Sequence, residues 1–307
     1  MSKIIYNRAC RSFLANYLKQ SRNQVHSRLF GCSSKSMFER VQSSHSSKVI
    51  PSLLAFTLAY AYSEPKDEER QLLEQADKLF DSNKLEEMIS LLKSLKCWEE
   101  NNEVLWRIAR CNYHQLKYRT DKGSQEYMSI LEDSFSLVEK SLKINDKCGS
   151  AYKWAAIILD EYSTAQGTKA RIANLLRIKE FMEKAIEFSP HDPTAYYLLG
   201  EWHYGCSSVT WVERNLANLF FGSLPEASYE LALELFERAE KIESGFYSKN
   251  QIMIAKTLLA LNREKDRATN HLKSIVNKYK GSVKWADTEA YKEATQLLNK
   301  MGEKVPD

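Results

Sequence analysis

Apolar side chains recur along this chain at steps of three and four, the spacing that gathers them on one face of an α-helix. Leu72, Leu73, Ala76, Leu79 and Phe80 make one such stripe, and Leu85, Met88, Ile89, Leu92 and Leu95 make the next. The same period predicts helices over roughly 102–118, 125–144, 150–163, 169–188, 194–205, 209–220, 227–242, 249–261, 264–280 and 285–301. No run of alternating β-branched residues interrupts them, so the pattern predicts an all-α protein.

The helices also repeat. Val138-Glu139-Lys140-Ser141-Leu142-Lys143-Ile144 with Ala151-Tyr152 aligns without gaps, 44 residues on, with Met182-Glu183-Lys184-Ala185-Ile186-Glu187-Phe188 and Ala195-Tyr196. Phe236-Glu237-Arg238-Ala239-Glu240-Lys241-Ile242 is a third copy, 54 residues further on. Tyr196, Leu199 and Gly200 stand where a first repeat helix carries a large ring, a Leu and a small residue. Ala232, Phe236 and Ala239 stand at the second-helix positions, and Ala185 and Pro190 at the closing ones. The segments resemble tetratricopeptide repeats, longer than the usual 34 residues, which implies an array of helical hairpins, an α-solenoid.

Composition narrows the class. With 43% apolar and 27% charged residues among 307, the chain is neither disordered throughout nor, at a mean hydropathy of −0.49, a polytopic membrane protein. Ten Gly and six Pro are too few for the frequent turns of a sandwich or barrel.

Charge divides the chain. Residues 1–63 hold nine Lys or Arg against the single acid Glu39, so the overall +4 leaves −4 on the other 244 residues. Eleven Ser precede residue 48, and Ile4, Ile5, Phe13, Leu14 and Leu18 can form an apolar stripe beside Arg8, Arg11 and Lys19. Such an Arg-rich, Ser-rich, acid-poor start matches a mitochondrial transit peptide, and Arg28 to Ser33 resembles a two-step processing site. A basic tail without targeting function is the alternative. Val49 to Tyr62 is uncharged but falls short of the ~20 residues of a spanning helix. It reads as a short membrane contact, a surface helix or the end of the presequence. The expected organisation is a basic targeting segment over 1–48, an apolar stretch and linker over 49–65, and a repeat domain over 66–302.

Catalytic patterns are weak, and neither a cofactor nor an enzyme is expected. Gly200-Glu201-Trp202-His203-Tyr204-Gly205 has the outer spacing of a phosphate loop but no Lys and no preceding strand. His203 and Cys206 share a helical face, a poor metal site without a second pair of ligands. His114, His191 and His271 have no nucleophile or carboxylate that would complete a triad. The six cysteines form no C-x-x-C pair, which suits a reducing compartment. Glu86-Glu87 and Glu99-Glu100 diverge on a helix and read as solvated surface, and Trp106, Trp154 and Trp202 read as core.

Two basic clusters read as binding surface. Lys169, Arg171, Arg177 and Lys179 form one; Arg263, Lys265, Arg267, Lys273, Lys278, Lys280 and Lys284 form the other. Both also fit the ordinary solvated side of a helix. No aromatics of stacking type interleave them, so nucleic acid is not an expected partner.

Six short motifs stand in a recognisable order: Leu105-Trp106-Arg107-Ile108-Ala109-Arg110, Lys153-Trp154-Ala155-Ala156-Ile157, Lys169-Ala170-Arg171-Ile172-Ala173-Asn174, Phe181 to Glu187 with Pro190, Leu199-Gly200-Glu201-Trp202, and Gly245-Phe246-Tyr247-Ser248-Lys249-Asn250. Together, over about 70–300, they resemble the regulator of microtubule dynamics family, with Thr210 in place of the family's Pro. The resemblance implies a microtubule or microtubule-associated partner and placement at spindle poles, in the cytoplasm or on mitochondria. Tubulin tails are acidic, and the two basic clusters would attract them in a salt-sensitive way. The alternative is a mitochondrial membrane-contact protein whose repeat groove holds a lipid.

Overall fold

The computed structural model describes residues 67–117, 119–210, 214–215, 217–218 and 225–306. The expectations for residues 1–48 and 49–62 therefore lie outside the described residues, as does most of the predicted 209–220 helix. Eleven helices occupy the described part: α1 Asp67–Asp81, α2 Leu85–Lys93, α3 Asn102–Leu116, α4 Gln125–Ile144, α5 Gly149–Gln166, α6 Thr168–Phe188, α7 Pro193–Ser207, α8 Tyr229–Ile242, α9 Ser248–Ala260, α10 Lys265–Tyr279 and α11 Trp285–Met301. No strand occurs among the described residues. A single 3-10 turn, Trp98–Glu100, precedes α3 after Cys97, whose φ of 58° is left-handed.

Local chemistry explains the boundaries. Asn101 accepts from the Glu103 and Val104 amides, Ser124 from Tyr127 and Ser228 from Leu231, each satisfying donors that a helix start leaves open. Before α7, Asp192 accepts from the Thr194 amide, and Pro193 supplies the preset φ of a first turn. The loop expected between α5 and α6 shrinks to one residue, Gly167, at φ +107°. A side chain would be strained there, so the two helices run closer to one another in sequence than apolar periodicity alone implied.

The helices form five antiparallel pairs, α1/α2 through α9/α10, with α11 closing the stack. The repeat residues sit where hairpin packing needs them. Gly200 on α7 faces Phe236 on α8, and a Cβ added there would stand 2.7 Å from the ring. Ala185, Ala232, Phe236 and Ala239 are all buried. Tyr196 is partly buried, while its neighbour Tyr197 is the ring enclosed by the core, edge-on to Tyr247. Interiors pack like crystals, so each small residue here sets how near two helices come.

Polar links cross the pairs as well. Ser141 on α4 donates to the Asn102 carbonyl at 2.9 Å, and Trp202 Nε1 on α7 donates to the Leu175 carbonyl of α6 at 3.1 Å. Asn250 on α9 donates to the Phe236 carbonyl at 3.0 Å. At the first pair, Asp77 on α1 receives Arg107 at 2.8 Å and Arg110 at 2.5 Å, both from α3. Arg110 also lies over the Phe80 ring, 3.9 Å from its centroid.

First helices pack side by side (α1 on α3, α3 on α5, α7 on α9, α9 on α11), and each second helix packs on the next first helix. The first helices thus line one side of the stack, the side that forms the concave face in repeat arrays. Among the described residues, no helix is long and apolar enough to cross a membrane.

Candidate functional site

The inner wall holds a cavity of about 230 Å³ between α5, α6, α7 and α9. Leu175, Ile178, Met182, Leu198, Trp202 and Met253 supply its apolar lining; Asp160, Arg171, Glu201 and Lys256 supply its charge. Arg171 grips Asp160 with two hydrogen bonds, Nε to Oδ1 at 2.9 Å and Nη2 to Oδ2 at 3.1 Å. Asp160 lies deep in the wall yet keeps a third of its side chain open to the cavity. Burial raises its pKa above the ordinary carboxylate value, and the pull of Arg171 does not fully offset that. Lys256 forms an ion pair with Glu293 on α11. Lys122 reaches Glu161 at 2.8 Å, and the Tyr127 hydroxyl donates to the same carboxylate at 2.6 Å.

Buried tyrosines lie close to these carboxylates. Burial, with the Glu201 carboxylate beside it, lifts the Tyr197 pKa well above that of a free phenol. Tyr113 and Tyr247 are raised by burial too, with Asp160, Glu161 and Glu201 adding to the effect.

Of the two basic clusters, Arg171 alone lines this cavity. Lys169, Arg171, Arg177 and Lys179 all lie on α6, but about 100° per residue turns them to different sides. Arg171 enters the cavity; Arg177 reaches Glu139 of α4 at 2.6 Å; Lys179 reaches Glu183 at 2.6 Å and lies over Trp202. Lys169 is exposed and has no ion pair among the described residues.

The second cluster spans α10 and the turn after it. Arg263 pairs with Glu230 at 3.7 Å, Arg267 with Glu237 and Glu264, and Lys273 with Glu303 at 3.0 Å. Lys265, Lys278 and Lys280 are exposed and form no ion pair among the described residues. The structure thus does not gather the eleven candidate cations into one face. It leaves Lys169, Lys265, Lys278, Lys280 and Lys284 as outward charges on α6, on α10 and on the turn after it.

The phosphate-loop and metal-site candidates belong to the interior. Gly200 to Cys206 runs within α7 itself. His203 and Cys206 are both buried, with His203 edge-on to Trp202 and its pKa lowered by burial. Among the described residues, no group of three or more His, Cys, Asp or Glu is placed to hold a metal ion.

Sequence reasoning overlooked the inner-wall residues Asp160, Glu201 and Tyr204. The signal was available: the 44-residue offset that aligns the core also aligns Ile157 with Glu201 and Asp160 with Tyr204. Positions facing a groove repeat with the same period as positions facing the core.

Comparison with known proteins follows the same part of the chain. The family described as Regulator of microtubule dynamics protein 1-3 matches residues 72–302. Regulator of microtubule dynamics protein 1 of Pongo abelii is 35% identical over 234 residues, covering 76% of this chain and 73% of that protein. Regulator of microtubule dynamics protein 2 of Bos taurus is 31% identical over 194 residues, 62% of this chain and 47% of that one. Among solved structures, a thermophilic TPR protein of Thermus thermophilus aligns with a TM-score of 0.49 at 12% identity, covering 74% of this chain and 99% of that one.

Proposed function

The chain belongs to the regulator of microtubule dynamics family, and from that premise we propose that it is a non-enzymatic repeat adaptor that associates with microtubules and regulates their dynamics. Its place of action is the spindle pole during chromosome segregation, or the cytoplasmic face of mitochondria. The observation that carries this reading is the extent of the family match: residues 72–302 are the stacked helices themselves, from α1 to α11.

The contact mechanism is electrostatic. Acidic tubulin tails meet outward lysines, Lys169 on α6 and Lys265 and Lys278 on α10, while the hairpin stack sets their spacing. Co-pelleting of the full chain with microtubules over a salt series tests it. Binding should weaken as salt rises, and K169E/K265E/K278E should weaken it several-fold at low salt. Salt-independent pelleting that survives the triple reversal would reject the mechanism. Reversing Arg171, Arg177 or Lys179 is a poorer test, because each would set a glutamate against its own internal carboxylate partner.

The cavity favours a second reading, a mitochondrial membrane-contact protein that binds lipid, because its floor is apolar. Solvent extraction of the purified full chain distinguishes the two: a stoichiometric lipid supports the second reading, and none argues against it.

A further inference from the structure

The turn joining α10 to α11 displays apolar side chains outward. Val283 is 97% exposed and Trp285, the first residue of α11, is 47% exposed. Gly281, at φ +74°, turns the chain so that Lys280-Gly281-Ser282-Val283-Lys284 leaves the α10 end as a projecting tip. Lys280 and Lys284 on this tip are both exposed.

Two other helices add charge at the same edge. Lys249 at the start of α9 holds its ammonium 4.0 Å from the Trp285 ring centroid, and Lys117, just after α3, holds its own at 5.1 Å. Lys117 and Lys249 thus reach the Trp285 ring from two other parts of the array, and Lys280 and Lys284 stand beside Val283 in the chain. Carboxylates act on the half-buried Lys249 ammonium from Glu201 on α7 and from Glu289 and Glu293 on α11, while Asp287 accepts from Ser282 Oγ at 3.0 Å beside the tip.

We propose that this tip is a membrane-docking element that inserts Val283 and Trp285 into the interface of an anionic lipid bilayer, with the exposed Lys280 and Lys284 on the headgroups. A fully exposed Val283 beside a half-exposed Trp285 suits a soft surface that both can enter; an acidic peptide would need a recess to receive its own side chains. A tryptophan at the headgroup level with flanking lysines is the combination that bilayer interfaces retain. This reading does not depend on microtubule association and places a second surface on the same array.

Brominated lipids test it, because they quench a tryptophan that enters the acyl region. The full chain is suitable, since residues 1–66 contain no tryptophan and contribute no signal. Brominated phosphatidylcholine–phosphatidylserine vesicles should quench the wild-type chain more than W285F, and brominated phosphatidylcholine alone should not. K280E/K284E should lower the apparent vesicle affinity read this way at least about tenfold, and V283D should remove the Trp285 share of the quenching. Equal quenching of wild type and W285F by the anionic vesicles would overturn the proposal. So would a polyglutamate peptide that shifts Trp285 emission where vesicles do nothing, since the tip would then serve a protein partner.

Discussion

Arg107 and Arg110 on α3 and Lys280 and Lys284 beside α11 are basic residues of similar spacing with opposite fates. The arginines turn inward, share Asp77 of the first helix and stack on Trp106 and Phe80. The lysines stand on a turn that no later helix pair covers, with no ion pair among the described residues. The difference lies in position within the stack. A cation between two first helices finds a carboxylate on its neighbour, whereas a cation at a turn beyond the last pair faces solvent. Local positive charge is therefore a poor measure of charge available to a partner.

Breaking the inward set should have the largest effect. D77A leaves two largely buried guanidiniums without their shared carboxylate, and should cost about 2 to 3 kcal/mol in chemical denaturation, less than a fully buried pair because Asp77 is partly exposed.

Titration sharpens the contrast within the interior. Burial pushes the Asp77 carboxyl up, but Arg107 and Arg110 outweigh it and hold the pKa below the ordinary 3.8. Asp160, whose burial outweighs Arg171, sits above 3.8. Asp77 thus contributes stability that is present above 3.8 and lost as pH falls through its lower folded value. Asp160 has the opposite sign: its contribution is full below 3.8 and lost as pH rises through its raised value. Carboxyl carbon NMR of the two residues should place their midpoints on opposite sides of 3.8; the reverse order would contradict this electrostatic account.

Arg177 lies between the extremes, paired with Glu139 but with both side chains well exposed. R177A should change stability by no more than about 0.5 kcal/mol, as measured by urea unfolding. Smallest of all, K280E/K284E should leave the unfolding midpoint within about 0.5 kcal/mol of wild type, so that any change in its vesicle binding is a surface effect. A large loss of stability there would show the tip to be structural and remove the contrast.

Much of the fold was legible beforehand for a local reason. Helix periodicity depends on neighbours three and four residues away, so α4 and α11 begin and end as the apolar spacing predicted. The 44-residue offset marks the repeating hairpins, and the repeat position of Gly200 predicts the close helix approach that its contact with Phe236 shows. The Gly167 break was less legible, because apolar spacing fades at helix ends. The candidate site was hardest to read. Arg177 meets a carboxylate 38 residues away and Arg107 one 30 residues away, and neither distance follows any sequence period.

What the amino-acid sequence determined by itself was the eleven helices of the described residues, their hairpin repetition and the family, since each depends on short-range spacing or on motifs in order. What only the tertiary structure decided was the use of each charge: Arg171 spent on Asp160 in the cavity, Arg177 on Glu139, and Lys117 and Lys249 drawn onto Trp285 from distant parts of the chain. Coulomb and cation–π energies depend on separation in space and on exclusion of water, and stacking the pairs is what sets both.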